Sequence, residues 1–121
     1  MHIDISARGM EITEAIRDYA EKKLSALSRF LRRVDDLRAS VMLGKETAHH
    51  REGEVFTVEV ELFADGKSFY SDETGEDLYA AIDTVQAELE RMITTEKEKR
   101  GNLVRRGGRK VKAMFQRLYR A

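Results

Sequence analysis

The apolar positions of this chain change period several times, and each change marks an element. Over residues 2–7, Ile3 and Ile5 alternate with His2, Asp4 and Ser6, the two-residue period of a half-buried strand. Thr13 then precedes Glu14 and a run with apolar residues at 12, 16, 19/20, 24, 27 and 30/31. That is helical spacing, with Thr13 as the N-cap. Residues 37–43 predict a second strand closed by Gly44, and the polar residues 45–54 predict a loop. Residues 55–63 alternate again, with Phe56, Val58, Val60 and Leu62 on one face and Glu59 and Glu61 on the other. Asp65-Gly66 predicts a two-residue hairpin turn, because glycine accepts the positive φ such turns need. Residues 67–71 then predict a fourth strand. Thr74 reads as the cap of a second helix with acidic Glu76 and Asp77 near its positive end. The stripe Leu78, Ile82, Val85, Leu89 and Met92/Ile93 carries that helix to about Lys99, and Gly101 is expected to end it.

The order β-α-β-β-β-α implies an α+β sandwich, two helices on one face of a four-stranded, mainly antiparallel sheet. With helices on one side only, the other sheet face is expected to be wet, which suits Glu59 and Glu61. At 121 residues the chain holds one core. Residues 1–100 are expected to form this domain and residues 101–121 a basic, partly helical tail. Gly107-Gly108 predicts a flexible joint there, followed by a short helix.

Charge changes the picture more than composition does. The formal net charge is zero, yet residues 1–100 carry 15 basic and 22 acidic side chains, while residues 101–121 carry seven basic and no acidic ones. Such asymmetry points to an anionic partner; a solvated tail that merely offsets the core charge is the plainer alternative. With no cysteine there is neither a disulfide nor a thiolate zinc site. Only His2, His49 and His50 offer an imidazole base. His49-His50, beside Glu52 and Glu54, suggests metal binding but lacks a rigid set of further ligands. The glycines are scattered and form no phosphate loop, dinucleotide fingerprint or nucleophile elbow. The expectation is a protein that is not an enzyme, with no metal, cofactor or small-molecule substrate. The first residues lack the apolar run of a signal peptide and no stretch suits a membrane span, so the expected compartment is the cytoplasm.

The basic residues fall opposite the apolar stripes. Lys22, Arg29 and Arg33 follow one line of the first helix, flanked by Lys23 and Arg32; Arg91, Lys97, Lys99 and Arg100 crowd the end of the second. Arg105, Arg106, Arg109 and Lys110 open the tail. Each set alone reads as a solvated face, and the helix dipole favours cations at a C-terminal end. Together they make a phosphate-binding footprint. Glu21, Glu90, Glu96 and Glu98 interrupt it, which fits a structured RNA better than a uniform duplex of DNA. Farther on, Val111, Met114, Phe115, Leu118 and Tyr119 recur at helical spacing among Lys110, Lys112, Arg117 and Arg120. This amphipathic run has three readings: docking on protein, ordering on RNA, or lying on a membrane surface.

Two stretches, Met-Glu-Ile-Thr-Glu-Ala-Ile-Arg-Asp-Tyr-Ala-Glu-Lys-Lys-Leu at 10–24 and Gly-Glu-Asp-Leu-Tyr-Ala-Ala-Ile-Asp at 75–83, resemble the ribosome hibernation promoting factors, or ribosome-associated inhibitors. The second continues in register into Leu89-Glu90-Arg91 and Lys97-Glu98-Lys99, and the likeness covers roughly residues 1–100. It implies the sandwich order found above, of double-stranded-RNA-binding-domain type. It also implies a cytoplasmic, ribosome-associated protein that binds small-subunit ribosomal RNA in the decoding region. There it would block messenger and transfer RNA and inhibit translation in stationary phase or stress, alone or beside another hibernation factor. Lys23 and Arg29 match basic positions of the family's first helix, and Arg91, Lys97 and Lys99 those of its second. Asp77 and Tyr79 match the motif and are expected to cap and pack. Positions 88 and 94–96, often basic or aromatic in relatives, are Glu88, Thr94, Thr95 and Glu96 here, and Ala7 stands where glycine is usual. The length leaves no room for the extra domain of long members, so the likeness is to the short form. Sigma-factor modulation by protein contact is the alternative function.

Overall fold

The computed structural model describes residues 1–31, 36–47 and 53–120, the side chains of Thr47 and of residues 100–120 excepted. Four strands, β1 (His2–Arg8), β2 (Arg38–Thr47), β3 (Glu54–Ala64) and β4 (Lys67–Gly75), lie side by side in chain order. β1 pairs with β2 in parallel, and β2–β3 and β3–β4 are antiparallel. The parallel pair needs a crossover, supplied by α1 (Glu14–Ser25) and a 3-10 turn, Ala26–Phe30. After β4 the chain enters α2 (Leu78–Arg120).

Local chemistry explains most boundaries. Thr13 Oγ1 accepts from the Ile16 N–H at 3.2 Å and starts α1. Asp65 and Gly66 have φ of 52° and 75°, the positive pair that a two-residue turn requires between β3 and β4. Gly9 has φ of 74°, and a Cβ there would stand 2.6 Å from the Lys45 carbonyl oxygen. The chain leaves β1 at the only kind of residue that can turn so close to the neighbouring strand.

Alternation sends one set of strand residues inward. Pairing aligns Ile3, Ala39, Leu62 and Phe69 in one row and Ile5, Val41, Val60 and Ser71 in the next. Onto them pack Ala20, Leu24 and Leu27 from the first helical stretch and Leu78, Ala81, Ile82, Val85, Leu89 and Ile93 from α2. Among the described residues Ser71 is the one buried polar side chain, and its hydroxyl donates to Glu88 Oε2 at 2.6 Å. The outer sheet face carries exposed Asp4, Glu59, Glu61 and Asp72. Phe63 and Tyr70 stand half exposed beside them.

The α+β class, the element order and the single helical layer are as expected. Five details differ. Residues 45–47, expected in a loop, extend β2, pairing opposite Phe56, Val55 and Glu54, because ladder bonds use the backbone and tolerate polar side chains. β4 likewise runs to Gly75, so Thr74 is a strand residue facing Thr57 and not a helix cap. Asp77 takes the capping role, accepting through Oδ1 from the N–H groups of Tyr79 and Ala80 at 3.0 and 3.3 Å. The first helix tightens to 3-10 geometry after Ser25 instead of continuing as α. Gly101 does not end α2, and Gly107-Gly108 forms no joint: one helix continues to Arg120. An interior glycine costs a helix only about 1 kcal/mol, and Lys, Arg, Leu and Met around these glycines are good helix formers.

Candidate functional site

The site is built where the two helices meet and along the flank where α2 passes β4. Tyr19 meets Tyr79 edge-on, ring centroids 4.9 Å apart, and its hydroxyl donates to Asp83 Oδ1 at 2.5 Å. Lys23 Nζ stands 3.2 Å from the same carboxylate, and Arg29 lies 3.7 Å from Glu90. These contacts step forward along both elements together, so α1 and α2 run in the same direction. Their C-terminal ends, where the cations crowd, therefore lie toward the same end of the domain.

The expected basic residues divide into groups. Lys23 and Arg29 line the interhelical seam, each beside a carboxylate of α2. Lys22 is exposed. Arg91 and Lys99, also exposed, line an open cleft of about 340 Å³ between α2 and β4 with Ser68, Phe69, Tyr70, Met92, Thr95 and Glu96. Lys97 is exposed too, seven and fourteen residues beyond Glu90 and Asp83, which puts it on their stripe past the end of the α1 contacts. The structure thus joins Arg91 and Lys99 and sets them apart from Lys23 and Arg29. Arg33 lies outside the described residues, as do Arg32, His49, His50 and Glu52. Arg100, Arg105, Arg106, Arg109 and Lys110 are described as helical backbone only.

Three features escaped the sequence reading. Asp83 and Glu90 neutralise seam cations; their seven-residue spacing, two helical turns on one face, is the signal that could have revealed them. Tyr70 joins the α2 flank because β4 is an edge strand, a fact of topology. The acidic residues at 88 and 96 also have structural partners. Glu88 receives the buried Ser71 hydroxyl, and Glu96 pairs with Lys67 of β4. Thr94 bonds back to the carbonyls of Glu90 and Arg91, both at 3.0 Å. Glu88 and Glu96 therefore fasten α2 to the sheet edge, and Thr94 bonds to its own helix backbone. Among the described residues no three His, Asp or Glu side chains converge on a possible metal position, and no helix is long and apolar enough to cross a membrane.

The seam is electrostatically coupled. Donation to Asp83 is the main reason the Tyr19 phenol is pushed up to about 12, with burial and the neighbouring carboxylates adding to it. The Tyr19 hydroxyl, then Lys23, hold the Asp83 carboxyl below its ordinary range, against the opposing effect of burial. Both shifts favour the folded state over most of the pH range, and the signs differ at the ends. The Tyr19 contribution is complete below about pH 10 and is lost as pH rises toward about 12; the Asp83 contribution is lost as pH falls through its lowered value. In a titration followed by tyrosinate absorbance, Tyr19 is expected to ionise near 12. Asp83→Ala should return it toward 10, its ordinary value.

A mixed sheet with two parallel helices on one face, crowded with cations toward one end and bare on the other side of the sheet, defines a small α+β domain with a cation-rich end. Residues 3–101 match the family described as Sigma 54 modulation protein / S30EA ribosomal protein, and the chain belongs to that family. It is 31% identical over 99 residues to a ribosome hibernation promoting factor of Azotobacter vinelandii, covering 82% of this chain and 85% of the relative. The factor of that name from Escherichia coli is 30% identical over 99 residues, covering 82% and 96%. Among solved structures, the N-terminal domain of Thermus thermophilus Protein Y superposes with a TM-score of 0.65 at 36% identity, covering 77% of this chain and 96% of that domain. A ribosomal subunit interface protein from Coxiella burnetii shares the fold at 20% identity and a TM-score of 0.65, covering 81% and 99%.

Proposed function

We infer that this chain is a ribosome hibernation factor. It binds ribosomal RNA in the decoding region of the small subunit, excludes messenger and transfer RNA, and holds translation off in stationary phase or stress. The carrying observation is a set of exposed cations on α2, Arg91 and Lys99 beside β4 and Lys97 on the seam stripe, with no acidic partner among the described residues. Lys23, by contrast, is held in the seam by Asp83, and Arg29, though exposed, faces Glu90 at 3.7 Å. Residues 1–100 act as the ribosome-binding unit. The basic residues from Arg100 onward, including Arg105, Arg106, Arg109 and Lys110, add phosphate contacts that offset the carboxylates at 88 and 96. The names of the relatives support the role, and exposed cations on α2 supply its chemistry. The reading needs no catalysis, cofactor or small-molecule substrate, and keeps the protein in the cytoplasm on ribosomes, alone or beside another hibernation factor.

Nuclease footprinting on purified small subunits tests it directly. Protection of the decoding region, with co-sedimentation that weakens as salt rises because binding releases counterions, is the expected result. Folded protein that does not co-sediment at low salt would end this reading. The family description also names sigma 54 modulation. The acidic outer sheet face, with Asp4, Glu59, Glu61 and Asp72, favours a basic protein partner of that kind. Capture of a sigma factor that survives ribonuclease would support it.

A further inference from the structure

At the end of the domain where α2 begins, an open cleft of about 770 Å³ shares only Tyr79 with the site above. Its floor is apolar, made by Met10, Ile16, Phe56, Leu78 and Tyr79, and its rim holds Glu11, Glu76 and Asp77. Lys45 also lies at the rim but is paired with Glu54 at 2.8 Å. Glu11 and Glu76 are exposed and have no partner among the described residues, and Asp77 spends one carboxylate oxygen on capping α2. The mouth is therefore anionic around an apolar floor. Such a groove selects an amphipathic segment that offers apolar side chains to the floor and cations to the rim.

This chain carries a segment of that chemistry. Val111, Met114, Phe115, Leu118 and Tyr119 recur at helical spacing, Lys110, Lys112, Arg117 and Arg120 lie among them, and residues 101–121 contain no carboxylate side chain. The segment cannot reach the cleft of its own molecule. Leu78 lines the cleft, α2 runs unbroken from Leu78 to Arg120, and at about 1.5 Å per residue position 111 lies roughly 50 Å farther along the same helix. A second molecule has no such restriction. We propose that the basic C-terminal end of α2 in one copy docks in the apolar, acid-rimmed cleft at the start of α2 in another, giving head-to-tail self-association. Donor and acceptor surfaces differ, so each molecule offers one of each and the contact is heterologous.

Sedimentation velocity of the full chain, freed of RNA and run from low to high micromolar protein, tests this. The weight-average mass should rise with concentration. Glu11→Lys with Glu76→Lys disables the cleft, and Lys112→Glu with Arg117→Glu disables the segment; each pair should lower the association constant by about tenfold or more. Circular dichroism checks that both variants fold. An equimolar mixture of the two variants should recover dimer, because one keeps a working segment and the other a working cleft. A chain that stays monomeric throughout, unchanged association by the cleft variant, or no recovery on mixing would each overturn the proposal. No ribosome enters the experiment, so its failure leaves the hibernation reading untouched.

Discussion

Reversing Arg91, Lys97 and Lys99 together to glutamate is expected to weaken small-subunit binding roughly a thousandfold while leaving the fold intact. All three are exposed, and among the described residues none holds a carboxylate, so reversal breaks no ion pair there. A charge-assisted hydrogen bond to phosphate contributes about 1.5 kcal/mol or more, near tenfold in affinity, so three lost contacts multiply to about 10³. Each should also remove about 0.9 from the slope of log affinity against log salt concentration. Lys23→Glu and Arg29→Glu are expected to behave differently. Lys23 sits 3.2 Å from Asp83, so its reversal sets like charges together in the seam and is felt first as lost stability. Arg29 is largely exposed and 3.7 Å from Glu90, so its reversal should cost less stability. Parallel binding and denaturation measurements separate the groups. Equal binding loss from the two sets of variants would contradict this division of roles.

Leu89→Ala is expected to have the largest effect on stability. Leu89 is fully buried where the α2 stripe meets the sheet, so truncation removes apolar contact and leaves a void that rigid strands cannot close. Substitutions of this kind cost about 2–5 kcal/mol. Small domains hold only about 5–15 kcal/mol, so a large share of the fold's stability rests on this side chain. Urea denaturation should show an earlier midpoint with an unchanged slope, as stability falls without a change in the surface exposed. Thr84, on the exposed side of the same helix, serves as the comparison: Thr84→Ala should shift the midpoint little.

What could be read before the structure follows from which interactions are local. The Thr13 cap and the Asp65-Gly66 turn involve neighbours in sequence, so residue type alone foretold them. The α2 stripe and the alternation of β3 were legible because periodic burial leaves a periodic trace. The extension of β2 through Lys45 and Glu46 was not, since strand pairing is a backbone affair and these side chains are polar at the sheet's end. Thr74 and Asp77 are both good caps, and the choice fell to pairing between Thr74 and Thr57 across the sheet. In the site, residue type identified every cation but could not say which were already engaged. Lys23 and Arg91 look alike in one dimension. Only the packing of α1 along α2 separates a lysine held at 3.2 Å by Asp83 from an arginine facing solvent.

The unbroken run of α2 has an electrical consequence. Residues 101–120 at its end carry seven positive charges, and the remainder of the molecule carries an equal excess of negative ones. A rigid rod keeps the two centres of charge apart, so a particle with no net charge still has a large dipole moment. Near a polyanion such a particle feels a torque more than a pull, and it turns its far tip inward before contact. Its encounter rate should therefore depend on ionic strength even though its overall charge is zero.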